Sequence, residues 1–245
     1  MKTKGFKMRA LSALLISAGI SCLGAGIAVA EASETAQEQA AHEKIDARTT
    51  LRQSTEVYEG MIKGTHGHVP SSVLTRARCV VVLPDLVTGA VVVGGTHGVG
   101  VASCKESNGW TTPAFVKMNA VSFGAQLGGK SSDVVLFLVN EQAKNALKKG
   151  KFALGADASV AAGTFDKGFD TSNYGVVAYS RTAGAYAGAS ISGGTISSDD
   201  DDTTAFYGEG MNYASLLDGR AMKKQNAQAN RFTAMLPRSA ELGKY

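Results

Sequence analysis

KFALGADASVAAG (Lys151–Gly163) is built almost wholly from small residues. Three larger apolar residues, Phe152, Leu154 and Val160, punctuate it. Side chains alternate faces along a strand. Phe152, Leu154, Ala156, Ala158 and Val160 make one face, with a bulge expected near Ser159. Ala153, Gly155, Asp157 and Ser159 make the other. A surface that small lets another backbone, or a flat apolar ligand, approach closely. The phrase holds no nucleophile with a matching base, so it reads as architecture first and binding surface second. Its polar residue, Asp157, needs partners such as Ser159 or backbone N–H groups if it is buried.

Working outward from this phrase, the chain reads as a run of strands. Cys79–Leu83 is continuously apolar and ends at Pro84, the pattern of a buried strand. A turn over Leu86–Gly89 follows. Ala90–Gly94 and Gly98–Ser103 are two further strands with glycine-rich joints. Trp110–Met118 is strand-like, with Pro113 marking an edge. Ala120–Leu127 and Val134–Asn140 flank a GGKSSD turn, and Glu141–Lys149 is a helix. Beyond the central phrase, Tyr174–Ser180 and Gly184–Ile196 are the last strands. Ser197–Thr204, with four consecutive aspartates, reads as a solvated turn, because it lacks the alternating ligands and glycine of a calcium loop. Short helices follow at Thr204–Tyr207 and Met211–Leu217, and Lys223–Leu236 is a helix stopped by Pro237.

At the other end, Glu31 to about Ile62 is rich in helix formers. Ala40, Ala47, Leu51, Ser54, Tyr58 and Met61 form one narrow stripe on it. The fold class expected is therefore α+β: a glycine- and alanine-rich, mostly antiparallel, strongly curved or barrel-like sheet flanked by N-terminal and C-terminal helices. Residues 1–30 read as a signal peptide, 31–70 as a helix and loop, and 71–245 as the main domain.

The signal reading rests on Lys2, Lys4, Lys7 and Arg9, an apolar run, and Ala28-Val29-Ala30 before Glu31, with cleavage expected between Ala30 and Glu31. Ser21-Cys22 offers an alternative, a lipoprotein anchored at Cys22. The expected location is the periplasm. Removing the four basic residues of this segment leaves 21 Lys+Arg against 21 Asp+Glu. The net charge of +4 then falls to zero, so the basic balance is no nucleic-acid signature. Cys79 and Cys104 remain, and an exported pair points to a disulfide, with two free thiols as the other reading. Its loop of about 25 residues is worth roughly 3 kcal/mol in the chain-entropy model.

Several phrases, in this order, are similar to the SYLF domain family. They are RARCVVVLPDL at 76–86, GGTHGVGVAS at 94–103, GWTTPAFVKM at 109–118, SFGAQLGGKSSDVVLFLVN at 122–140, LGADASVAAG at 154–163, YSRTAGAYAGASISGGTI at 179–196 and FYG at 206–208. The resemblance runs from about Val73 to Tyr207, and a bacterial exported branch suits the signal segment. It implies a non-enzymatic binding domain whose ligand is phospholipid. Fungal members are described as actin-binding and eukaryotic ones are associated with phosphoinositides. For an exported protein the resemblance carries over as an anionic phospholipid membrane surface, with an envelope protein as the other partner.

The residues offered for that role are cationic. Lys144, Lys148, Lys149 and Lys151 cluster at a helix end, with Lys144 and Lys148 on one face. Each lysine near an anionic surface contributes about 1 kcal/mol. The competing reading is a solvated helix end with cations at its negative pole. Arg76, Arg78, Lys117 and Arg181 flank strands and extend the set, and Lys105 is a further candidate. Trp110, Phe115 and Phe123 read as core residues before lipid contacts. His66, His68 and His97 are too loosely ordered for a metal and read as surface histidines. GGTHGVG lacks the glycine order and following helix of a dinucleotide site, and no serine sits in a G-x-S-x-G elbow. No catalytic residue, cofactor, metal or nucleic-acid partner is expected.

Overall fold

The computed structural model describes residues 44, 46–63, 69–90, 93–123, 130–162, 173–180, 193–220 and 226–237. The chain divides into Met1–Gln39, outside those residues, and Ala40–Tyr245, which holds every element below. Helix α1 (46–63) opens the second unit. Ala47, Leu51, Ser54, Tyr58 and Met61 are all buried, so the predicted stripe is its core-facing side.

After helix α2 (Ser71–Arg76) come strands β1 (Cys79–Ala90), β2 (Val93–Glu106), β3 (Gly109–Trp110), β4 (Ala114–Phe123) and β5 (Lys130–Leu138). Helix α3 (Glu141–Lys148) leads to β6 (Lys151–Ala153), β7 (Val160–Ala162), β8 (Val176–Ser180) and β9 (Thr195–Ser198). The chain then forms helices α4 (Asp200–Tyr207), α5 (Tyr213–Leu217) and α6 (Ala227–Met235). The sheet order is β6-β9-β4-β2-β1-β5-β8-β7, with β3 beside β2. Only the β7–β8 pair is parallel among the described pairs. The α+β class, the curled and mostly antiparallel sheet and the flanking helices match the expectation.

Lys151–Gly163 is not one bulged strand. It is β6, a turn and β7, and these two strands form opposite ends of the sheet. That placement dictates the curl. Eight strands laid flat would separate their outer members by about 34 Å at 4.8 Å per gap. Ala153 and Val160 are joined by a link that reaches at most about 25 Å when fully extended. This link is itself folded. Asp157 N–H donates to Ala153 O (2.8 Å), Ala153 N–H donates to the Asp157 carboxylate (2.7 Å), and Gly155 N–H donates to Ala158 O (2.9 Å). Leu154 and Ala158 bridge directly. Gly155, at φ 92°, supplies the left-handed turn residue. In place of the bulge expected at Ser159 the chain makes a turn over 154–158 between two strands that run in the same direction, and Asp157 is its hydrogen-bond hub.

Other boundaries shift for local reasons. β1 runs through Pro84 and the supposed turn at 86–89. Its register slips against β5 between Leu83 and Leu86, and against β2 between Val82 and Val87. Pro84 sits in that irregularity, where its missing N–H breaks no ladder bond. Asp85 takes φ 48° there, and its carboxylate accepts from Ser131 Oγ (3.1 Å). β2 is one unbroken strand where two were expected. Pro113 does end a strand pairing, separating β3 from β4. The aspartate run is not a loop: Asp199 caps α4 by accepting from Asp202 N–H, and Asp200, Asp201 and Asp202 form its first turn. Carboxylates there meet the positive end of the helix dipole.

Cys79 and Cys104 are directly opposed on β1 and β2 and form a disulfide with Cα atoms 4.0 Å apart. The sheet around them is buried on both faces. On one face Tyr58 packs on Phe137 (6.4 Å between ring centres) and on Phe232 of α6 (6.2 Å). Phe206 of α4 packs on Phe115 (5.4 Å). Gly100 lets the backbones close up, because a Cβ there would lie 2.0 Å from the Val82 carbonyl oxygen.

Candidate functional site

Directly paired residues point to the same face of a sheet. In β2 and β4 the pairing is continuous from Val93–Phe123 to Ala102–Ala114. The face carrying Gly98, Gly100, Met118 and Ala120 is buried throughout. The other face changes along its length. Val101, Ser103 and Phe115 are covered, Val99 and Lys117 are half-buried, and His97 and Asn119 are exposed.

On that open half the register lines up a row across six strands: Ala153, Thr195, Asn119, His97, Val87 and Ser131. A groove of about 820 Å³ lies over it, with Val87, His97, Asn119 and Thr195 among its lining and Gly95 and Gly193 as small residues beside them. Val87 is 53% exposed and is the only large apolar side chain left exposed among the described residues. Among the described residues, no carboxylate, lysine or arginine lines the groove. Asn119 Oδ1 only accepts hydrogen bonds, so at 2.8 Å the His97 Nδ1–H is the donor.

The next row on the same face is Lys151, Ser197, Lys117 and Val99. Lys117 and Lys151, separated in sequence, therefore stand two strands apart, roughly 10 Å by strand spacing. Lys151 is exposed. Lys117 Nζ lies 3.0 Å from Asp199 and 3.7 Å from Asp201. Burial opposes its charge, but the bond to Asp199 and the neighbouring aspartates win and raise its pKa.

The remaining cations sit elsewhere. Lys144 is 8% exposed; its Nζ donates to the Lys105 carbonyl (2.7 Å) and pairs with Glu106 (3.1 Å). Lys148 bridges Glu106 (2.9 Å) and Asp218 (2.7 Å), and Arg220 also pairs with Asp218. Arg78 pairs with Glu141 (3.2 Å). Lys149 is exposed and Arg76 half-buried. This network ties the β2–β3 hairpin, α3 and α5 together. Burial works against the Glu106 charge, yet hydrogen bonds from Lys148 and Lys144 hold its pKa below the usual range. The hydrogen bond from Lys148 does the same for Asp218, against a smaller burial penalty. The solvated helix end of the sequence reading is thus half an internal ion cluster.

Trp110 and Phe115 are core residues, and Trp110 Nε1–H donates to the Pro237 carbonyl (2.8 Å). Arg181, His66, His68, Cys22, Ala30 and Glu31 lie outside the described residues, as does the Phe123 side chain. Sequence reasoning passed over Val87, Asn119 and Thr195, and read His97 only as a surface residue. The signal that marks His97 and Asn119 is the alternation in HGVG and KMNA, one polar or exposed residue against one small or apolar residue; Val87 and Thr195 lie outside both phrases.

The model of the family described as "Ysc84: Las17-binding protein actin regulator" matches residues 119–238, which include Asn119, Ser131, Ala153 and Thr195 of the row, but not His97 or Val87, and helices α3 to α6. Over this stretch, just under half of its length, the chain is similar to the Ysc84 family, the same family as SYLF. Protein YSC84 of Saccharomyces cerevisiae is 28% identical over 173 residues, covering 67% of this chain and 37% of that protein. LAS seventeen-binding protein 3 of Saccharomyces cerevisiae is 27% identical over 173 residues, covering 67% and 38%. SH3 domain-containing YSC84-like protein 1 of Homo sapiens is 24% identical over 185 residues, covering 73% and 53%. The chain thus matches between about a third and a half of the length of these relatives. One of these names states binding and another an SH3 domain, and none states an enzymatic activity. No solved structure matches the chain. No helix among the described residues is long and apolar enough to cross a membrane.

Proposed function

We propose that this Ysc84-like domain is a non-enzymatic module that binds anionic phospholipid at the open half of its sheet, in the cell envelope. The observation that carries the reading is the groove itself. It presents an exposed apolar side chain, Val87, with the small residues Gly95 and Gly193, bordered on the same face by Lys151 and Lys117. Burying apolar lipid surface there is favourable at roughly 25 cal/mol per Å², and a cation at the border adds about 1 kcal/mol near an anionic surface. The envelope location rests on the basic start and the Ala-Val-Ala segment.

Co-sedimentation of the mature chain with anionic and neutral vesicles tests this. Binding is expected to favour anionic vesicles and to weaken on Val87→Glu or Lys151→Glu. No binding to either vesicle, or binding indifferent to both substitutions, overturns the proposal.

A protein partner is the second reading, and the names of the yeast relatives favour it. A pull-down yielding one stoichiometric protein, with capture abolished by the same two substitutions and no lipid in the native mass spectrum, would establish it instead.

A further inference from the structure

We propose that His97 and Asn119 form the seat that reads the ligand's head group, selecting phospholipids that carry a hydroxyl next to the phosphate. This deepens the phospholipid reading and rests on it. The lysine cluster of α3 is an unsuitable seat: Lys144 and Lys148 are held by Glu106 and Asp218, away from the groove. On the open face of the groove the polar side chains are those of His97, Asn119 and Thr195.

Their hydrogen-bond capacities are complementary to a phosphate–hydroxyl pair. The His97 ring is oriented by its Nδ1–H, which donates to Asn119 Oδ1 at 2.8 Å. When the ring is neutral, this leaves Nε2 with a lone pair that accepts a hydrogen bond. Asn119 keeps its two amide hydrogens, and Thr195 is paired directly with Asn119 across the strands. Among the described residues neither the Asn119 amide nitrogen nor the Thr195 hydroxyl has a partner. One acceptor therefore stands beside two donors in a single row. A head-group hydroxyl donates to His97 Nε2, and phosphate oxygens accept from Asn119 Nδ2 and Thr195 Oγ1. Val87 completes the row beside His97 and meets the apolar part of the lipid. That apolar residue favours a lipid over a free phosphorylated polyol.

The decisive comparison uses two lipids of equal charge and identical chains. Phosphatidylglycerol has head-group hydroxyls, whereas phosphatidylmethanol has none. The full mature chain is expected to bind phosphatidylglycerol vesicles about fivefold more tightly, the worth of one hydrogen bond. His97→Ala lowers phosphatidylglycerol affinity and brings the ratio to about one, and Asn119→Ala does the same by freeing the ring. Equal affinity of the unaltered chain for the two lipids overturns the head-group seat while leaving phospholipid binding intact. A ratio unchanged by His97→Ala also overturns it. Binding to neither vesicle overturns the phospholipid reading itself. Circular dichroism of both variants separates these outcomes from misfolding.

Discussion

The same strands live in two environments. Around Val80–Leu83, Val101–Cys104, Ala114–Val116 and Val134–Leu138 both faces of the sheet are buried. Around Val87, Gly95–Val99 and Lys117–Ala120 one face is buried and the other is open. The helices make the difference. Tyr58, Phe206 and Phe232 build an aromatic layer at one end only. Two-sided cover demands apolar side chains at both parities, as in CVVVL and VVLFL. One-sided cover permits polar residues at every second position, as in KMNA. The covered half holds the fold, and the open half is available for a ligand. Stability and binding should therefore respond to different substitutions.

The largest contrast is between two glycines of β2. Gly100→Ala places a Cβ 2.0 Å from the Val82 oxygen. This is a backbone clash that side-chain rotation cannot relieve, and a loss of more than about 4 kcal/mol is expected. Gly95→Ala in the open half meets only the Ala120 oxygen at 3.9 Å and should change stability by less than about 0.5 kcal/mol. Urea denaturation of the two variants reads the difference. If both lose stability alike, the two halves are not distinct.

Next in size is side-chain truncation. Phe115→Ala removes a buried ring from the aromatic layer and should cost about 3–5 kcal/mol. Val87→Ala should leave the unfolding midpoint within about 0.5 kcal/mol while weakening vesicle binding. A comparable loss of stability at Val87 would show that the groove is part of the core.

The disulfide lies in the covered half. Replacing Cys79 and Cys104 together by alanine should cost about 3 kcal/mol in the loop-entropy model, read as a lowered Tm. Vesicle affinity below the melting transition should not change.

The smallest effect belongs to the ion cluster. Glu106 and Asp218 are held below the usual carboxylate range, so the folded state binds fewer protons than the unfolded chain around that range. Their stabilisation is present above the ordinary carboxylate pKa and is lost as pH falls through the lower folded-state value. Glu106→Gln should flatten the acid limb of the stability–pH curve by about 1 kcal/mol or less. Phospholipid binding at neutral pH should be unaffected. An acid limb as steep as that of the unaltered chain would remove Glu106 from the cluster's energetics.

Much of the architecture was legible from residues alone. Apolar runs marked the covered strands, the stripe on α1 marked its buried face, and Cys79 with Cys104 marked the disulfide. The errors share a cause. The turn within Lys151–Gly163 is hidden because Ala156, Ala158 and Ala161 suit a strand and a turn equally, and the deciding bonds come from Asp157 to a backbone four residues away. β1 was cut short at Pro84 because its bulge depends on two partner strands. The lysines of α3 looked available because Glu106 and Asp218 are distant in sequence.

By itself, the amino-acid sequence determined which segments must be buried and at which periodicity, because water rejects apolar surface whatever the topology. It also carried the similarity to the Ysc84 family. Only the tertiary structure decided that β6 and β7 are opposite ends of one sheet, since a short folded link cannot span eight strands laid flat. It alone decided that Lys144 and Lys148 meet carboxylates away from the groove, that Lys117 meets Asp199 at its border, and that Lys151 stands exposed there. Those pairings depend on the register between strands, and register is a property of neighbours, not of any one segment.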